Sequence, residues 1–468
     1  MNSPHALTSQ VPAPAAARVR TRSGAKPLVM IDAFNLGLSK GTGVATYARN
    51  LSATAQELGC EVSVLYGAPV SSRHPPVLKE VLFYDSEASP PAGLRHYIRR
   101  ARALARVPWH SAFEIPINGA VVPDAFAAKL PRYDRLWNAR DLYVQAIAQY
   151  YYLGVRSRVS TPRPVDLVHW TYPLPIHVPG VPNIYTLHDL VPLRLPQATL
   201  DRKEPYFNLM KWICKTAAHI VTVSENSKRD IVELLGVDPD KVTNTYQAVV
   251  LPEEHLRKSD EQVKHEIERT TELKYKEYFL YFGALDPRKN MARLIEAYLV
   301  SAVEAPLVLI GGEPGSGMRD TPLFPLDRAI QEVRAAVRNG LEQGKGKIVR
   351  MEYVPFSSLL NLIRGAKAVV FPSLYEGFGL PLLEAMMLGT PVLTSNNSSI
   401  PEVVGDAALL IDAYRVQDIA EGLRKLDSDA GVRAELSARG RKRAAAFDES
   451  SYRERLAGVY DRVLASHG

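Results

Sequence analysis

The stretch that decides the fold is AVVFPSLYEGFGLPLLEAMMLG, residues 368–389. An apolar run with β-strand character ends near Ser373, a glycine-rich turn follows, and a leucine-rich segment begins near Pro381. Proline suits the first turn of a helix, because the backbone N–H that it lacks has no partner there. We therefore interpret the stretch as a strand, a tight turn and a buried helix.

The turn carries groups that suit an anionic ligand rich in hydroxyls. Gly377 and Gly379 let a ligand approach the backbone and permit positive φ. The N–H groups of Gly379 and Leu380 point out of a helix N-terminus, where anions bind readily. Glu376 lies in the loop and Glu384 in the first turn of the predicted helix. Glu384 alone would be explained by the helix dipole, whereas the whole string predicts a ligand site.

The same alternation of strands and helices runs through both halves of the chain. The first half has predicted strands starting at Pro27 and Glu61 and at residues 166–170, 183–190, 219–224 and 244–249. The second half has predicted strands at 278–285, 305–312, 347–354, 368–373, 391–395 and 407–412. Strands that alternate with helices predict parallel sheets with right-handed crossovers. The predicted fold class is α/β, with two Rossmann-like domains that face each other across a cleft and bind ligands outside the carboxyl ends of their strands.

The length of 468 residues allows two or three domains of about 100–200 residues each. Five segments are predicted: a disordered tail at 1–26, an N-terminal domain at 27–255 with a helical insertion at about 108–163, a linker at 256–277, a C-terminal domain at 278–447, and a terminal helix at 448–468 that packs back on the N-terminal domain.

One helix of the N-terminal domain has predicted ends. Ser224 is its predicted N-cap, and Gly236 is the residue at which it is predicted to stop.

Composition limits the surroundings in which the protein works. No apolar run approaches the ~20 residues that span a bilayer. The first 26 residues lack the apolar core of a secretory signal. Cys60 and Cys214 are the two cysteines and suggest no disulfide framework, which suits a reducing compartment. The expected location is therefore cytoplasmic.

The stretch around Glu376 resembles the E-x7-E signature of glycosyltransferase family 4, in the form E-G-F-G-L-P-x-L-E. The resemblance extends over YFGALDPRKNMARLIEAY and, more loosely, over TLHDLVPLRLP and VTVSENSKRDI. It implies the GT-B fold, in which a nucleotide-sugar lies between two Rossmann-like domains. This implied architecture agrees with the one predicted from the alternation of elements.

The resemblance also implies roles in binding the donor. Glu384 would accept hydrogen bonds from the ribose of the nucleotide, and Glu376 would contact hydroxyls of the transferred sugar. The backbone of Phe378, Gly379 and Leu380 would hold the diphosphate or the sugar.

Two cations follow another strand in GALDPRKN. Arg288 and Lys289 could be ordinary residues of an exposed turn. Their place at a strand end favours neutralisation of a leaving diphosphate, because stabilising developing charge is usually the largest catalytic contribution. The commoner family pattern has its arginine directly after the glycine, where Ala284 stands here, so the division of work between the two cations is open.

The first domain contributes further candidates by resemblance. His188 ends the TLHDL strand and would lie near the donor sugar, although a lone histidine is usually structural. Asp189 would be its neighbour or a contact of the acceptor. Gly41 and Gly43 lie in a loop before a helix and would face the phosphates and the acceptor, unless they only form a glycine-rich turn.

The predicted site also includes residues near the nucleotide base, and the sequence bears on whether the site holds a metal ion. Tyr353 and Val354 end a strand at which related proteins hold the nucleotide base. The D-x-D patterns at 238–240 and 427–429 are interpreted as turns, and no His/Cys ligand cluster is present in the sequence. We expect no metal and no separate cofactor, because the nucleotide-sugar is a substrate.

The net charge of +7 and the pI of about 9.1 indicate either a basic surface or an anionic partner. Residues 94–110 form a predicted basic amphipathic helix with five arginines. This segment could be an ordinary surface helix or could contact anionic lipid. No module for nucleic-acid binding is recognisable, so nucleic acid is not an expected partner.

The resemblance implies a retaining transferase that moves a hexose, mannose from GDP-mannose above all, to a saccharide hydroxyl. The acceptor would be linked to polyprenyl diphosphate, and the enzyme would act in bacterial O-antigen or exopolysaccharide synthesis at the inner face of the membrane. Two alternatives stay open. One is another GT-B enzyme, such as a UDP-sugar transferase or a nucleotide-sugar epimerase, and the other is a binding scaffold without catalysis.

Overall fold

The computed structural model describes residues 18–21, 24–36, 43–85, 107–119, 121, 130–199, 201–284, 286–312, 328–344 and 347–467. Two sheets flanked by helices, one parallel throughout and the other parallel except for one edge strand, form two α/β domains in tandem, so the predicted fold class is confirmed. Within the described ranges, no helix combines the length and the apolar character needed to cross a bilayer.

The N-terminal domain is built on an eight-stranded sheet in the order β11-β10-β9-β7-β1-β2-β5-β4. Its strands, with those of a small three-stranded sheet (β3-β6-β8), are β1 Leu28–Asp32, β2 Glu61–Tyr66, β3 Trp109–Ser111, β4 Phe113–Glu114, β5 Arg135–Asn138, β6 Ser157–Ser160, β7 Leu167–Trp170, β8 Ile176–His177, β9 Asn183–Thr186, β10 His219–Thr222 and β11 Val242–Asn244. β4 runs antiparallel to β5, and the other paired strands are parallel.

The helices of this half are α1 Gly43–Glu57, α2 Pro76–Tyr84, α3 Leu142–Leu153, α4 Val191–Arg194, α5 Lys203–Thr216 and α6 Glu225–Leu235. The predicted ends of α6 are confirmed. Ser224 Oγ accepts a hydrogen bond from the Ser227 N–H at 3.0 Å, and Gly236 ends the helix in the left-handed conformation.

The C-terminal domain has a six-stranded, all-parallel sheet in the order β14-β13-β12-β15-β16-β17. The strands are β12 Phe279–Phe282, β13 Leu307–Ile310, β14 Ile348–Met351, β15 Ala368–Phe371, β16 Val392–Ser395 and β17 Leu409–Ile411. The remaining helices are α7 Glu253–Arg257, α8 Asp260–Thr270, α9 Met291–Ser301, α10 Arg328–Gln343, α11 Phe356–Gly365, α12 Leu380–Met387, α13 Ile400–Val404, α14 Val416–Ser428, α15 Ala430–Ala444 and α16 Glu449–His467.

The segment 108–163 differs from the predicted helical insertion. It contains α3, but β5 within it pairs in parallel with β2 and belongs to the main sheet. Leu136, Trp137 and Asn138 of this strand are almost fully buried. The prediction missed the strand because four residues are too few to show a clear alternation of apolar and polar positions.

Part of the tail that was predicted to be disordered is ordered. Val19 is fully buried, and its N–H donates to the Leu58 carbonyl at 3.0 Å. Thr21 closes a small turn with Ala25. One apolar side chain and one backbone hydrogen bond therefore hold residues near 19 to the end of α1, and residues 1–17 lie outside the described ranges.

The predicted strand at 244–249 is also shorter than expected. β11 ends at Asn244, whose side-chain oxygen accepts the Tyr246 N–H at 2.8 Å. Tyr246 has φ of 55°, which is incompatible with an extended strand. The chain therefore leaves the sheet after Asn244, the first residue of the predicted strand.

The connection between the domains is helical and packs against the second domain. Glu266 of α8 accepts from Lys258 at 2.7 Å and from the Asn361 side chain on α11. The terminal helix α16 lies against the first domain, where Tyr460 Oη and His169 Nδ1 are 3.0 Å apart. The chain thus returns to the N-terminal domain after completing the C-terminal sheet.

Candidate active site

The glycine-rich turn lies at the carboxyl end of β15, where the sequence placed it. Gly379 has φ of +103° and immediately precedes α12. The helix begins at Leu380, one residue before the predicted start, so Glu384 lies at the beginning of the second turn rather than in the first. Only glycine adopts the conformation at 379 without strain, and the first N–H groups of α12 have no partners within the helix, which suits an anion.

Glu376 is held by two cations from a different strand end. Lys289 Nζ donates to Glu376 Oε1 at 2.5 Å, and Arg288 Nη1 lies 3.4 Å from Oε2. Burial by itself would raise the pKa of Glu376, but the charges of Lys289 and Arg288 outweigh it and hold the pKa below its usual value. The carboxylate is therefore ionised at neutral pH, deep in the protein.

The turn with the two cations is fixed by hydrogen bonds. Asp286 Oδ1 accepts the Arg288 N–H at 2.9 Å, and the Arg288 carbonyl accepts the Leu374 N–H at 2.7 Å. Asn290 has φ of 63°, and its side-chain amide donates to the carbonyls of Pro372 at 3.0 Å and Ala413 at 2.7 Å. The turn after β12 and the loop after β15 are thus joined into one unit.

Glu384 contrasts with Glu376. Its partly buried carboxylate makes no hydrogen bond or ion pair with any described residue. Burial raises the pKa of Glu384 to about 7. A carboxylate without a partner at a helix end is suited to accept hydrogen bonds from hydroxyls of a ligand.

Replacement of Glu384 with glutamine is expected to change how stability depends on pH. The folded state raises the pKa of Glu384 from 4.5 to about 7, so it binds the proton more tightly than the unfolded chain and loses stability as pH rises between these values. The variant should therefore be more stable than the wild type by roughly 1–3 kcal/mol above pH 8, with little difference below pH 4. Denaturant unfolding at both pH values measures this change.

The control for this experiment is Glu421→Gln, at an exposed position of α14. This variant should match the wild type at both pH values. A stability difference between Glu384→Gln and the wild type that stays constant with pH would contradict the raised pKa of Glu384.

His188 lies at the end of β9 on the opposite domain. Its Nε2 donates to the Thr171 carbonyl at 2.9 Å, and its ring meets the Tyr47 ring edge-on at 4.8 Å between centroids. Burial lowers the pKa of His188, so the ring is neutral near pH 7. With Nε2 donating, Nδ1 is left as an acceptor for a ligand hydroxyl.

Asp32 is a site residue that the sequence reasoning missed. It is fully buried at the end of β1, and its carboxylate accepts the N–H groups of Thr171 and of Phe34, the latter at 3.1 Å. Burial raises the pKa of Asp32 to about 6. Asp32 thus holds Thr171 by its N–H while the Thr171 carbonyl holds His188, so Asp32 positions His188 through the backbone of this one residue. An aspartate that ends a fully apolar strand was the available signal.

The two domains touch at the predicted site. A Cβ atom added to Gly377 would lie 2.8 Å from Asp189 Oδ2 and 3.0 Å from the His188 carbonyl oxygen. The close approach at Gly377 is therefore to the other domain. It brings the loop of Glu376 beside the loop of His188 and Asp189.

A second contact between the domains, here called the latch, consists of Glu402, Tyr375, Asn226 and Asp230. The Glu402 carboxylate accepts the N–H groups of Glu225 at 3.0 Å and of Asn226 at 2.9 Å, at the N-terminus of α6. Tyr375 Oη accepts from the Asn226 amide at 3.0 Å and donates to the Asp230 carboxylate. No motif pointed to the latch, because its members lie far apart in the sequence.

The other predicted residues are placed as follows. Phe378 is 4% exposed and packs against Phe447 and Tyr246, so only its backbone is available to a ligand. Tyr353 lies beyond the end of β14 with 81% of its surface exposed, and Val354 beside it is partly buried.

Two predictions fall partly outside the described residues. Gly43 opens α1 and is exposed, whereas Gly41 lies outside the described ranges. Of the predicted basic helix 94–110, only residues 107–110 are described, and they lead into β3. In the described part of the chain, no three His, Cys, Asp or Glu side chains gather in a way that could hold a metal ion.

Two family models match the chain. The model described as "Glycosyl transferases group 1" matches residues 263–443, and the one described as "Glycosyltransferase Family 4" matches residues 41–251. The chain belongs to glycosyltransferase family 4, as the E-x7-E stretch indicated.

Relatives at the sequence level include two proteins of Escherichia coli. An O-antigen chain mannosyltransferase B is 32% identical over 269 residues, which cover 56% of this chain and 66% of the relative. A serotype-specific mannosyltransferase WbdA is 29% identical over 310 residues, which cover 63% of this chain and 36% of the relative. The chain thus matches just under two thirds of the first relative and about a third of the second.

Solved structures share the fold. A sucrose-phosphate synthase from Thermosynechococcus elongatus superposes with a TM-score of 0.63 at 15% identity, covering 94% of this chain and 100% of that one. Anabaena Alr3699/HepE, solved in complex with UDP and glucose, gives a TM-score of 0.57 at 14% identity over 92% of this chain and 99% of its own. The fold is GT-B.

Proposed function

We propose that the protein is a retaining glycosyltransferase that moves mannose from GDP-mannose to a hydroxyl of a saccharide acceptor. The observation that carries the proposal is the ionised Glu376, fixed between Lys289 and Arg288 beside the loop of His188. Such a carboxylate accepts hydrogen bonds from sugar hydroxyls, and the adjacent cations offset charge on a departing diphosphate.

The two cations differ in how firmly they are held. The Lys289 side chain is 11% exposed and its ammonium group is 2.5 Å from Glu376, whereas the Arg288 side chain is 28% exposed and its contact with Glu376 is 3.4 Å long. We assign Lys289 to fixing the Glu376 carboxylate and Arg288 to contacting the diphosphate. The sequence left open which of the two cations contacts the diphosphate, and we propose Arg288 for that role.

The proposed reaction is an attack on the front face of the sugar. The acceptor oxygen forms a bond to the anomeric carbon as the bond from that carbon to the diphosphate oxygen breaks. The acceptor proton passes to the departing diphosphate, and Arg288 offsets its negative charge. His188 Nδ1 and Glu376 hold sugar hydroxyls during the transfer, and the unpartnered Glu384 receives the ribose hydroxyls.

The choice of mannose is supported by relatives named as an O-antigen chain mannosyltransferase and a serotype-specific mannosyltransferase. We further propose an acceptor linked to polyprenyl diphosphate and a peripheral location at the cytoplasmic face of the membrane. A donor that carries UDP is the alternative, since HepE with the same fold was solved with UDP and glucose.

A thermal-shift screen with GDP, UDP, ADP and dTDP tests the donor base, because a ligand that binds only the folded state raises its melting temperature. We expect the largest shift with GDP, followed by mannose transfer from GDP-mannose and none from UDP-hexoses. Glu384→Ala should mainly weaken nucleotide binding. A larger shift with UDP would overturn the GDP proposal, and the absence of any transfer would favour a binding scaffold.

A further inference from the structure

Tyr375, the residue directly before Glu376, places its side chain in the opposite domain. Its backbone belongs to the loop after β15, in the C-terminal domain. Its side chain is buried, with 7% of the residue exposed, and packs with Val191, Leu195 and Ala198 of the N-terminal domain. The transfer proposed above gives Tyr375 no role, although it is the neighbour of the central carboxylate.

The apolar pocket that receives Tyr375 begins directly after His188. Asp189 Oδ1 accepts the Val191 N–H at 3.1 Å, which fixes the start of α4. The Asp189 carbonyl in turn accepts a hydrogen bond from Tyr206 Oη at 3.3 Å. The loop of His188 and the pocket of Tyr375 are therefore parts of one short segment that is held by hydrogen bonds.

The hydroxyl of Tyr375 is fixed by α6 of the same domain. It donates to the Asp230 carboxylate and accepts from the Asn226 side chain at 3.0 Å. Asp230 is 4% exposed and also accepts from Arg194 Nε at 2.8 Å. Because hydrogen bonds to a charged acceptor are stronger than those between neutral groups, the phenol has one preferred position relative to the N-terminal domain.

Glu376 itself is tied to the C-terminal domain. Its N–H donates to Ser398 Oγ at 3.0 Å, and its carbonyl accepts from Ser399 Oγ at 2.8 Å. Its carboxylate is held by the two cations of the same domain, as described above. These contacts settle where Glu376 lies within its own domain, but they do not set its distance from His188.

The residue after Glu376 also meets the N-terminal domain. The Gly377 carbonyl accepts from Ser227 Oγ of α6 at 3.4 Å, and Gly377 approaches Asp189 too closely for a side chain to fit between them. Glu376 is thus flanked on both sides by residues that contact the opposite domain. Of these two neighbours, Tyr375 makes the larger contact, since its whole side chain is buried there.

We propose that Tyr375 is a positioning residue that sets the placement of Glu376 relative to His188. The inference rests on the proposed function, in which these two side chains hold the sugar from opposite domains. Groups on separate domains need a fixed link, because misplacement by about 1 Å can lower a rate by about 10²-fold. Tyr375 supplies this link, since it joins the position next to Glu376 to the segment next to His188.

Tyr375→Phe keeps the ring in its apolar pocket and removes the hydrogen bonds to α6. With GDP-mannose and methyl α-mannoside as substrates, we expect kcat to fall about tenfold, since the misplacement is partial. GDP affinity should stay within about twofold of the wild type, because the proposed nucleotide contacts do not include Tyr375. Tyr278→Phe is the matched control, since it removes a buried hydroxyl that donates to the Leu362 carbonyl inside the C-terminal domain. It should change neither quantity.

A double-mutant cycle tests whether Tyr375 acts through Asp230. Asp230→Ala removes the same hydrogen bond, so the double variant Tyr375→Phe/Asp230→Ala should lower kcat no further than the larger of the two single changes. Losses that multiply in the double variant would contradict action through this pair. Wild-type kcat in a folded Tyr375→Phe variant, or an equal fall in kcat and in GDP affinity, would overturn the positioning role.

A distance measurement separates this inference from the proposed function. Cysteines introduced at the exposed Val144 of α3 and Glu421 of α14 take spin labels selectively, because the two native cysteines are buried. Dipolar electron spin resonance should give a narrow distance distribution for the labelled wild type and for Tyr278→Phe, and a broader one for Tyr375→Phe. An unchanged distribution in Tyr375→Phe would overturn the inference. A broadened distribution without any sugar transfer by the wild type would contradict the proposed function and still support the link between the domains.

Discussion

Replacement of Glu376 with glutamine is expected to lower kcat for sugar transfer by about 10²–10³-fold, the usual cost of removing one electrostatic contact to the reacting centre. The substitution removes the charge that Lys289 and Arg288 neutralise, and it weakens the hydrogen bonds that sugar hydroxyls donate to this side chain. Nucleotide affinity should change by less than about threefold, which corresponds to less than about 1 kcal/mol of binding free energy. Kinetics with saturating donor and titration with GDP measure the two quantities.

The same substitution should also cost stability. Loss of one partner from a buried ion pair typically costs about 3–5 kcal/mol, because the remaining charge stays buried without compensation. The side chains of Glu376 and Lys289 are only 10% and 11% exposed, so this range applies to their pair. Denaturant unfolding should show the loss, and Glu421→Gln should show neither effect. Unchanged transfer by a folded Glu376→Gln variant would remove Glu376 from the proposed mechanism.

Replacement of Gly311 with alanine is expected to destabilise the C-terminal domain by about 3 kcal/mol, the upper range for overpacking. A Cβ atom at this position would lie 1.9 Å from the Gly283 carbonyl oxygen and 2.9 Å from its carbon. These are backbone atoms of the residue that follows β12, and the Gly283 N–H itself donates to the Ile310 carbonyl at the end of β13 at 2.9 Å. The two strands would have to separate just before the turn that carries Arg288 and Lys289.

Gly458→Ala is the matched control for Gly311→Ala. Gly458 lies within α16, and a Cβ atom added there would meet no atom within 4 Å other than those of its chain neighbours and its own helix backbone. Because alanine is the better helix former, this variant should gain about 0.5–1 kcal/mol of stability. Denaturant midpoints of both variants provide the comparison. Equal midpoints for Gly311→Ala and the wild type would show that the ends of β12 and β13 separate at little cost in stability.

The fold was predictable because its main signals are local in the sequence. Apolar runs that alternate with helices specify parallel sheets, and the Ser224 and Gly236 ends of α6 were visible as single residues. β5 escaped prediction because it is a short strand within a segment without a regular pattern. Val19 escaped prediction because one apolar residue in a polar tail carries no periodicity.

The candidate site was predictable only in part. The turn from Glu376 to Leu380 has its own signature, and the cations at 288 and 289 follow a recognisable strand. Their meeting with Glu376 depends on β12 lying next to β15, an order that sequence spacing does not reveal. Asp32 acts through Thr171, which is 139 residues away, so the sequence shows an aspartate at the end of an apolar strand but not the residue through which it acts.

The latch has a consequence for the working cycle. Its central contact joins one carboxylate, Glu402 of the C-terminal domain, to two backbone N–H groups of the N-terminal domain. Hydrogen bonds to a charged group contribute about 1.5–3 kcal/mol each, and salt screens such contacts when they are near the surface. A contact of this strength favours one arrangement of the two domains and is weak enough to break thermally. We expect the strength of the latch to fall as ionic strength rises, whereas the apolar cores of the two domains should not respond in this way.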